Sequence, residues 1–485
     1  MRDDILKLTD ILVNEKKTIK EAIKIIDQCA LGIAFIIDDD NKFVGVVTDG
    51  DIRRALIKGT SLECTIQQIM NKSPISVKKQ YTSEEIFQII KHDDIRRKMP
   101  LHGSIRIPVV DEKSRIIDIL FVSQNSIESY VHPTGYFHEK IKKIKSVNKV
   151  LVVGGAGYLG SVLCRKLLEK KYFVKVLDNL TYGYQGIKEL YDNPKFEFIK
   201  GDMRDIHTVV NAVKNVDAVI HLAAIVGDPA STLNPEETIE INYFGTRMLA
   251  EICKYSQINR FIFASTCSVY GASKTPNTRI NENSKLNPVS LYAEMKLKSE
   301  QGILELVDEN FSPTILRMAT LYGLSPRMRF DLVVNTLTIK ALKEKKFYIF
   351  GGEQWRPNLH VNDASEAYIK CLETPIQKVK GAVFNVGSSK ENYKIVDIGK
   401  TVKKLIPDAN MIIDEKNVDK RNYNVLFKKI EEQLNYKTNY TIKDGILEII
   451  DAVKKGEFQD YRDIKYSNYQ FLQKIINDNN HFLQE

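Results

Sequence analysis

Short apolar runs alternate with amphipathic segments along the chain, a pattern that predicts strands and helices in turn. Near the N-terminus the run AFII (34–37), an Asp-rich turn and the run FVGVV (43–47) precede a helical segment. The sequence IPVVDEKSRIIDILFV (107–122) has the same layout, so that Asp111 corresponds to Asp38. Two weakly similar copies of one layout predict a pseudo-symmetric module in the first part of the chain.

A second series of strands and helices begins near residue 148. The segment NKVLVVGGAGYLGSVL (148–163) reads as strand, glycine-rich turn and helix, and the next strand ends at Asp178. Further strand-length apolar runs lie within 196–205, 217–228, 260–271 and 313–323. Such alternation predicts a doubly wound, Rossmann-type parallel sheet. We therefore expect an α/β protein with an N-terminal module, this sheet, and a smaller C-terminal subdomain.

The predicted domain boundaries follow from these changes in pattern. We assign residues 1–126 to the repeated module, 127–147 to a linker, and 148–485 to a catalytic domain. Within the catalytic domain, about 148–315 would bind a cofactor and 316–485 would supply most of the substrate site. The linker contains Pro and Gly in VHPTG, which predicts a turn.

Composition and charge narrow the possible partners. The 485 residues are 43% hydrophobic and 27% charged, and the net charge of +9 is spread along the chain. This distribution gives no basis for nucleic-acid binding, and no apolar run approaches the roughly 18 residues of a membrane span. The six cysteines stand far apart without a metal-ligand spacing, so we expect reduced thiols and no metal. With no signal peptide in MRDDILKLTD, we expect a cytoplasmic protein.

The glycine-rich turn predicts a dinucleotide site. Gly154, Gly157 and Gly160 lie between a strand and a helix, where a bare backbone lets a pyrophosphate approach the helix N-terminus. Asp178 follows at the end of the next strand. A carboxylate there can bind the ribose hydroxyls and repels a 2′-phosphate, so we expect NAD rather than NADP.

Three side chains, a hydroxyl, a phenol and an amine, predict a proton-transfer reaction. The segment STCSVYG places Thr266 after an apolar run, and YAEMK places Tyr292 and Lys296 four residues apart. On a helix these two side chains lie on one face. A phenol has a pKa near 10, and a neighbouring cation makes it a better base at neutral pH. We expect Tyr292 to exchange a proton with a sugar hydroxyl that also bonds Thr266.

In this order, these motifs resemble the extended short-chain dehydrogenase/reductase family, in its nucleotide-sugar epimerase and dehydratase branch. The resemblance implies an NAD site formed by Gly154, Gly157, Tyr158, Leu159, Gly160, Asp178, Asn179, Asp202, Met203, Leu222, Ala223, Ala224, Tyr292 and Lys296. It also implies that the substrate, a nucleotide-diphosphate sugar, contacts Thr266, Arg327, Arg329, Asn335, Arg356 and Arg421. His360 is expected to belong to the fold.

Two residues after Thr266 limit the reaction. The dehydratases that the chain resembles carry Asp-Glu after the hydroxyl residue, whereas this chain has Cys267 and Ser268. We therefore expect epimerisation at C4 through a transient 4-keto intermediate, in the biosynthesis of surface-polysaccharide sugars. Two alternatives stay open: a net 4-dehydrogenase or 4-keto reductase, and a nucleotide-sensing scaffold without turnover.

The first copy of the N-terminal module resembles a CBS domain, and the pair resembles a tandem CBS unit. Thr48 and Asp51 match the family's ribose-binding pattern, which implies an adenine nucleotide as regulator. Their counterparts in the second copy are Phe121 and Gln124, so we expect one site per chain. The alternative is that the module serves only dimerisation. In either case we expect a homo-oligomer, a dimer or a tetramer.

Overall fold

The computed structural model describes residues 8–29, 32–79, 105–122, 127–129, 147–272, 278–308, 310–416, 419 and 421–482. The chain divides into two compact units, Met1–Ser146 and Val147–Glu485. The division falls one residue before the predicted start of the catalytic domain. Within the described ranges, no helix has the length and apolar character that a bilayer crossing requires.

The first unit contains short strands and helices in the predicted alternation. They are β1 (Leu12–Asn14), α1 (Ile19–Cys29), β2 (Ile33–Ile37), β3 (Phe43–Thr48), α2 (Asp49–Ile57), β4 (Val77–Lys78), β5 (Ile105–Val110), β6 (Ile116–Val122) and β7 (Ile127–Ser129). Because β7 pairs antiparallel with β6, a sheet of this unit includes three residues of the predicted linker. The remaining linker residues 130–146 and Gln124 lie outside the described residues.

The two predicted copies share their backbone geometry. In each, a short strand runs parallel to the first strand of an antiparallel hairpin: β1 beside β2–β3, and β4 beside β5–β6. Both hairpins have a register irregularity, between Ile36 and Ile37 in the first and between Val109 and Val110 in the second. These positions correspond under the same offset that relates Asp38 to Asp111 in the sequence.

The hairpin turns are also the same. Asp38 Oδ1 accepts hydrogen bonds from the backbone N–H groups two and four residues further on, at 2.9 and 2.8 Å. Asp111 Oδ1 accepts the corresponding pair at 2.9 and 2.8 Å. The Phe43 N–H donates to the Ser114 carbonyl at 2.8 Å and joins one turn to the other copy. The two hairpins therefore belong to one folded module.

The second unit begins with the elements of the predicted Rossmann-type sheet. They are β8 (Lys149–Val153), α3 (Tyr158–Glu169), β9 (Phe173–Asp178), β10 (Phe196–Lys200), α4 (Ile206–Ala212), β11 (Ala218–His221), α5 (Asp228–Ser231), α6 (Pro235–Ile239), α7 (Thr246–Tyr255), β12 (Arg260–Thr266), β13 (Arg279–Ile280), α8 (Leu291–Leu304) and β14 (Ser312–Met318).

The rest of this unit mixes shorter strands with helices. They are β15 (Thr320–Tyr322), α9 (Val333–Glu344), β16 (Lys346–Phe350), β17 (Trp355–His360), α10 (Val361–Glu373), α11 (Ile376–Val379), β18 (Ala382–Val386), β19 (Asn392–Lys394), α12 (Ile395–Leu405), β20 (Asn410–Asp414), β21 (Asn424–Val425), α13 (Lys428–Leu434), α14 (Ile442–Lys454) and α15 (Asn468–Phe482).

The main sheet has the strand order β10-β9-β8-β11-β12-β14-β18, and every pair is parallel. The order reverses between β8 and β11, and ligands of such sheets bind beyond the carboxyl ends of the strands at this point. All seven residues of β14 are buried, as expected of a strand covered on both faces. The last strand, β18, comes from the part predicted to bind substrate, so the sheet extends beyond residue 315.

The smaller subdomain packs α9, α12 and α14 around the pair β16–β20. His360 lies in this part, as predicted: its Nε2 is 2.7 Å from Glu448 Oε1, and its ring stacks on Tyr440 with centroids 4.2 Å apart. The subdomain holds the loop with Arg327 and Arg329 above the carboxyl ends of the main sheet.

Candidate functional site

A cavity of about 350 Å³ lies at the carboxyl ends of the main-sheet strands. Its lining contains every residue predicted to bind the cofactor: Gly154, Gly157, Tyr158, Leu159, Gly160, Asp178, Asn179, Asp202, Met203, Leu222, Ala223, Ala224, Tyr292 and Lys296. Of the residues predicted to bind substrate, Thr266, Arg327, Arg329 and Arg421 also line it. The structure does not bring Asn335 and Arg356 into the lining.

The glycine-rich turn needs its glycines for two different reasons. Gly154 has a φ of +87°, and a Cβ there would lie 2.6 Å from the Ala223 nitrogen. A Cβ on Gly160 would lie 2.4 Å from the Gly154 carbonyl oxygen. At Gly157, the N-cap of α3, a Cβ would make only an ordinary contact, 3.5 Å from the Gly154 carbonyl oxygen. The first two glycines permit tight packing, and Gly157 leaves backbone exposed to the cavity.

Asp178, at the end of β9, forms a hydrogen bond with the glycine-rich turn. Its Oδ2 accepts a hydrogen bond from the Ala156 N–H at 2.9 Å, and its Oδ1 accepts one from the Leu180 N–H at 2.8 Å. Burial raises the pKa of the Asp178 carboxyl, although both hydrogen bonds favour the charged form. Asp178 therefore shapes the glycine-rich turn and also faces the cavity.

Thr266, Tyr292 and Lys296 come together at the far end of the cavity. Thr266 ends β12, while Tyr292 and Lys296 lie one turn apart on α8. The Tyr292 phenol is hydrogen-bonded to Thr266; burial raises its pKa and this bond opposes the rise. Lys296 Nζ donates to the Ala264 carbonyl at 2.7 Å, and burial lowers its pKa to about 7. The three predicted residues therefore line one cavity, with Thr266 and Tyr292 in hydrogen-bonding contact.

A buried ion pair lies directly behind Lys296. Glu300, one turn further along α8, binds Arg317 of β14 through contacts of 3.0 and 3.2 Å to Nε and 2.7 Å to Nη2. The two residues are only 2% and 4% exposed, and the Ser265 hydroxyl also donates to Glu300. The charge of Glu300 raises the pKa of Lys296 against the effect of burial.

The two residues after Thr266 carry no ionisable group suited to acid–base work. Cys267 is buried, its thiol donates to the Arg317 carbonyl at 3.3 Å, and burial raises the pKa of the thiol. Ser268 Oγ is 3.2 Å from the Tyr423 hydroxyl. A thiol held protonated and a hydroxyl cannot replace a carboxylate pair.

Arg327 is buried beside the cofactor half of the cavity. It is 5% exposed, and its guanidinium lies 4.5 Å from the centre of the Tyr182 ring. Its Nε and Nη2 are buried without a hydrogen-bond partner among the described residues. Burial and the neighbouring Arg329 lower the pKa of Arg327 to about 10. A buried cation with unused donors fits an anionic ligand.

The other predicted arginines are held by carboxylates. Arg329 Nε donates to Asp331 at 2.8 Å. Arg421 binds Asp419, and its Nη1 lies 3.1 Å from Asp228 Oδ2. Their positions at the cavity wall are therefore fixed before any ligand binds.

Asn335 and Arg356 support the site from behind. Asn335 is fully buried; its Oδ1 accepts from the Gly323 N–H at 3.0 Å and its Nδ2 donates to the Arg329 carbonyl at 2.9 Å. Arg356 lies 2.9 Å from Asp419 and 5.1 Å from the centre of the Tyr423 ring. Neither residue lines the cavity, and both form contacts within the protein, so their contact with substrate stays a prediction.

The structure adds lining residues that sequence reasoning missed: Tyr182, Tyr423, Asn468 and Leu472. Tyr423 lies within VDKRNY, two residues after the predicted Arg421, and was within reach of motif reasoning. Tyr182 follows β9 at a turn, and Asn468 and Leu472 belong to α15 near the end of the chain. These positions carry no local pattern that marks a ligand.

The residues of this cavity fit a dinucleotide cofactor. Gly157 presents bare backbone at a helix N-terminus, and Arg327 presents unused donors to the same space. Both features suit a pyrophosphate. Asp178, at the end of the second strand, suits the ribose.

Comparison with known proteins agrees with this assignment. The model of the NAD dependent epimerase/dehydratase family matches residues 150–387, and the CBS domain model matches residues 1–58. A UDP-glucose 4-epimerase from Lactobacillus helveticus is 31% identical over 276 residues, which cover 53% of this chain and 81% of that protein. A human dTDP-D-glucose 4,6-dehydratase is 28% identical over 270 residues, which cover 54% of this chain and 75% of that protein.

A solved structure is similar over the same part of the chain. UDP-glucuronic acid 4-epimerase from Bacillus cereus, in complex with UDP-glucuronic acid and NAD, has a TM-score of 0.57 and 30% identity. The match covers 63% of this chain and 99% of that one. With relatives aligned over most of their own length and a cavity that fits the cofactor, the chain belongs to the NAD dependent epimerase/dehydratase family and carries a CBS domain at its N-terminus.

Proposed function

We propose that the protein is an NAD-dependent nucleotide-sugar 4-epimerase that acts through a transient 4-keto intermediate. The observation that carries this proposal is the cluster of Thr266, Tyr292 and Lys296, followed by Cys267 and Ser268. The first three supply the proton transfer that must accompany oxidation and reduction at one carbon. The last two supply no acid or base for the loss of water from C5 and C6.

The chain's own residues would move one proton in each direction. Tyr292 accepts the proton of the C4 hydroxyl, while Thr266, already hydrogen-bonded to Tyr292, also bonds the same sugar oxygen. NAD, which Gly157, Asp178 and Arg327 would hold, would supply the hydride acceptor and donor for C4. The charge of Lys296 stabilises the phenolate, and Glu300 helps to keep Lys296 protonated. Tyr292 then returns its proton to the product oxygen.

The diphosphate of the substrate would be bound by cavity arginines. Arg329 and Arg421 line the cavity and are oriented by Asp331 and Asp419. A guanidinium presents several donors in a fixed plane, which suits two phosphate oxygens at once. Because the relatives named above act on UDP and dTDP sugars, we propose a nucleoside diphosphate hexose as substrate, within surface-polysaccharide biosynthesis in the cytoplasm.

The test is incubation with a panel of UDP and dTDP hexoses and their uronic acids. Proton NMR should show inversion at C4, absorbance at 340 nm should show no net NADH, and mass spectrometry should show unchanged mass. Stoichiometric NADH would favour the net dehydrogenase instead. A loss of one water would overturn the argument from Cys267 and Ser268. Absence of turnover on every sugar would favour the binding scaffold.

We further propose that the N-terminal module binds one adenine nucleotide per chain and regulates the enzyme. Thr48 and Asp51 lie at the start of α2, where the Thr48 hydroxyl donates to Asp51 at 2.7 Å and Arg54 donates to Asp51 at 2.5 Å. Burial favours the neutral acid, but the bonds from Thr48 and Arg54 lower the pKa of Asp51. A charged carboxylate at this position can accept bonds from ribose hydroxyls.

Calorimetry of the full chain with AMP, ADP and ATP tests this site. Near-unit stoichiometry, lost in Asp51→Ala, is expected, together with a change in epimerase kinetics. No binding below millimolar concentration would leave dimerisation as the role of the module, and analytical ultracentrifugation of the chain would then identify the dimer or tetramer.

A further inference from the structure

The C-terminal helix α15 contacts three loops at the edge of the cavity. Phe471 packs on Tyr182, in the loop after β9, with ring centroids 5.8 Å apart. Leu472 packs against Ile225 and Ala230, which follow β11. At the start of the helix, the Asn468 N–H donates to Asp331 at 2.8 Å.

The strand order shows where the glycine-rich turn lies relative to the loops that α15 contacts. In the main sheet, β8 lies between β9 and β11, so the glycine-rich turn after β8 lies between the two loops that α15 contacts. Asn468 and Leu472 of α15 line the same cavity as Gly154 and Gly157 of this turn. This is the position where a dinucleotide pyrophosphate binds in such a sheet.

Two residues of α15 take part in the wall of the cavity itself. Asn468 is 3% exposed, and its Oδ1 is buried without a hydrogen-bond partner among the described residues. Leu472 is 8% exposed, and both residues line the same cavity as Gly157 and Arg327. A buried acceptor without a donor costs free energy, and a ligand bound against Asn468 would supply that donor.

The segment before α15 is held against Phe330 by a hydrogen bond and by aromatic contacts. The Phe330 N–H donates to the Tyr466 carbonyl at 2.8 Å, and the Phe330 ring meets the rings of Phe458, Tyr461 and Tyr466 at 5.0, 6.3 and 5.3 Å. Phe330 is in the loop that carries Arg327 and Arg329. The helix is therefore held by the same loop that supplies the cationic wall.

We propose that α15 is part of the NAD-binding site: Asn468 Oδ1 accepts a hydrogen bond from the bound dinucleotide, and Leu472 covers it and slows its release. The inference rests on the cofactor and deepens the proposed epimerase function. An epimerase returns the hydride to the same substrate and gains from a cofactor that stays bound, whereas a net dehydrogenase must exchange it in every cycle.

The test measures the dissociation rate of NADH from the full-length protein, without sugar nucleotide. Protein loaded with NADH is mixed with excess NAD, and the loss of protein-bound NADH fluorescence is followed by stopped flow. Leu472→Ala and Asn468→Leu should each release NADH about tenfold faster or more, the factor that corresponds to one lost buried contact. Gln473→Ala, on the exposed side of α15 next to Leu472, is the control and should match the unmodified protein.

Asn468→Leu keeps the size of the side chain and removes only its polar atoms, so it decides the question if Leu472→Ala fails to fold. Unchanged release from the folded variants would overturn the proposal, and so would equal acceleration in Gln473→Ala. Because no sugar is present, this result is independent of the product panel. Failure of the epimerase assignment would show only in the identity of the products.

Discussion

The buried pair of Glu300 and Arg317 gives the sharpest prediction for both stability and activity. Glu300→Gln keeps the shape of the side chain but leaves the Arg317 guanidinium without its counter-charge. Both residues are almost inaccessible to solvent and share three short contacts. Removing one partner of such a pair costs about 3–5 kcal/mol, because a buried charge is left uncompensated.

The same substitution should act on the proton-transfer group. The charge of Glu300 raises the pKa of Lys296, so its loss lowers that pKa further below the present value of about 7. At pH 7–8 a smaller fraction of Lys296 is then charged, and the Tyr292 phenolate loses support. Turnover at this pH should fall even where the protein is folded.

Urea unfolding and a pH–rate profile together separate the two effects. The double substitution of Glu300 and Arg317 by Met should recover most of the stability, but turnover should stay low because the charge beside Lys296 is still missing. The control is Glu432→Gln, which breaks an exposed ion pair with Lys428 on α13 and should cost less than about 1 kcal/mol. A cost for Glu300→Gln as small as that of the control would refute the reasoning.

Four further predictions concern single residues. Tyr292→Phe should lower turnover by about 10²-fold or more, the scale of a lost general acid–base group, while calorimetry shows nearly unchanged nucleotide-sugar binding. In the NAD-free protein, the pKa of Lys296 is depressed from 10.5 to about 7, so the unfolded chain binds more protons between these values. The free energy of unfolding should therefore rise with pH across that window, by up to about 1.4 kcal/mol per pH unit, and Lys296→Met should abolish the rise. Asp178→Ala should weaken NAD binding and narrow the preference over NADP in titrations, and it should also lower stability because the Ala156 and Leu180 N–H groups lose their acceptor. Asp51→Ala should abolish adenine-nucleotide binding in calorimetry.

Each of these has a clear contrary result. If Tyr292→Phe keeps its turnover, the base is another residue. If the free energy of unfolding does not change with pH, Lys296 is charged in the folded protein. Equal affinity of the unmodified protein for NAD and NADP would contradict the role of Asp178. Nucleotide binding that survives Asp51→Ala would place the regulatory site on other residues.

Local patterns were sufficient for the parallel sheet and for the parts of the cavity formed by the glycine-rich turn and by Tyr292 and Lys296. The glycine-rich turn, Asp178 and the pair of Tyr292 and Lys296 depend on spacing within one strand–turn–helix unit or one helix, which a sequence displays directly. Thr266 joins them because parallel strands end at one edge of the sheet. The structure confirms the α/β fold and brings these residues together.

The two predicted residues that lie outside the cavity lining depend on contacts between distant parts of the chain. Asn335 and Arg356 carry the right chemistry for a substrate, but which partners they meet is decided by the packing of β15, β17 and the loop before α9. In α15, Leu472 contacts residues about 245 positions earlier in the chain. The periodicity of the helix sequence does not predict such a contact. Side-chain type indicates what a residue can bind, whereas tertiary packing decides whether it reaches the ligand.

The matching hairpins of the N-terminal module have a consequence for how the protein evolved. The aspartate turn and the strand irregularity occur at equivalent positions in both copies, whereas Thr48 and Asp51 have no chemical equivalent in Phe121 and Gln124. After a duplication, every copy must still fold, but only one must keep a ligand. If the first half binds a nucleotide as proposed, selection would act on the turns of both halves but on Thr48 and Asp51 in the first half alone, which leaves the second half free to acquire a different task.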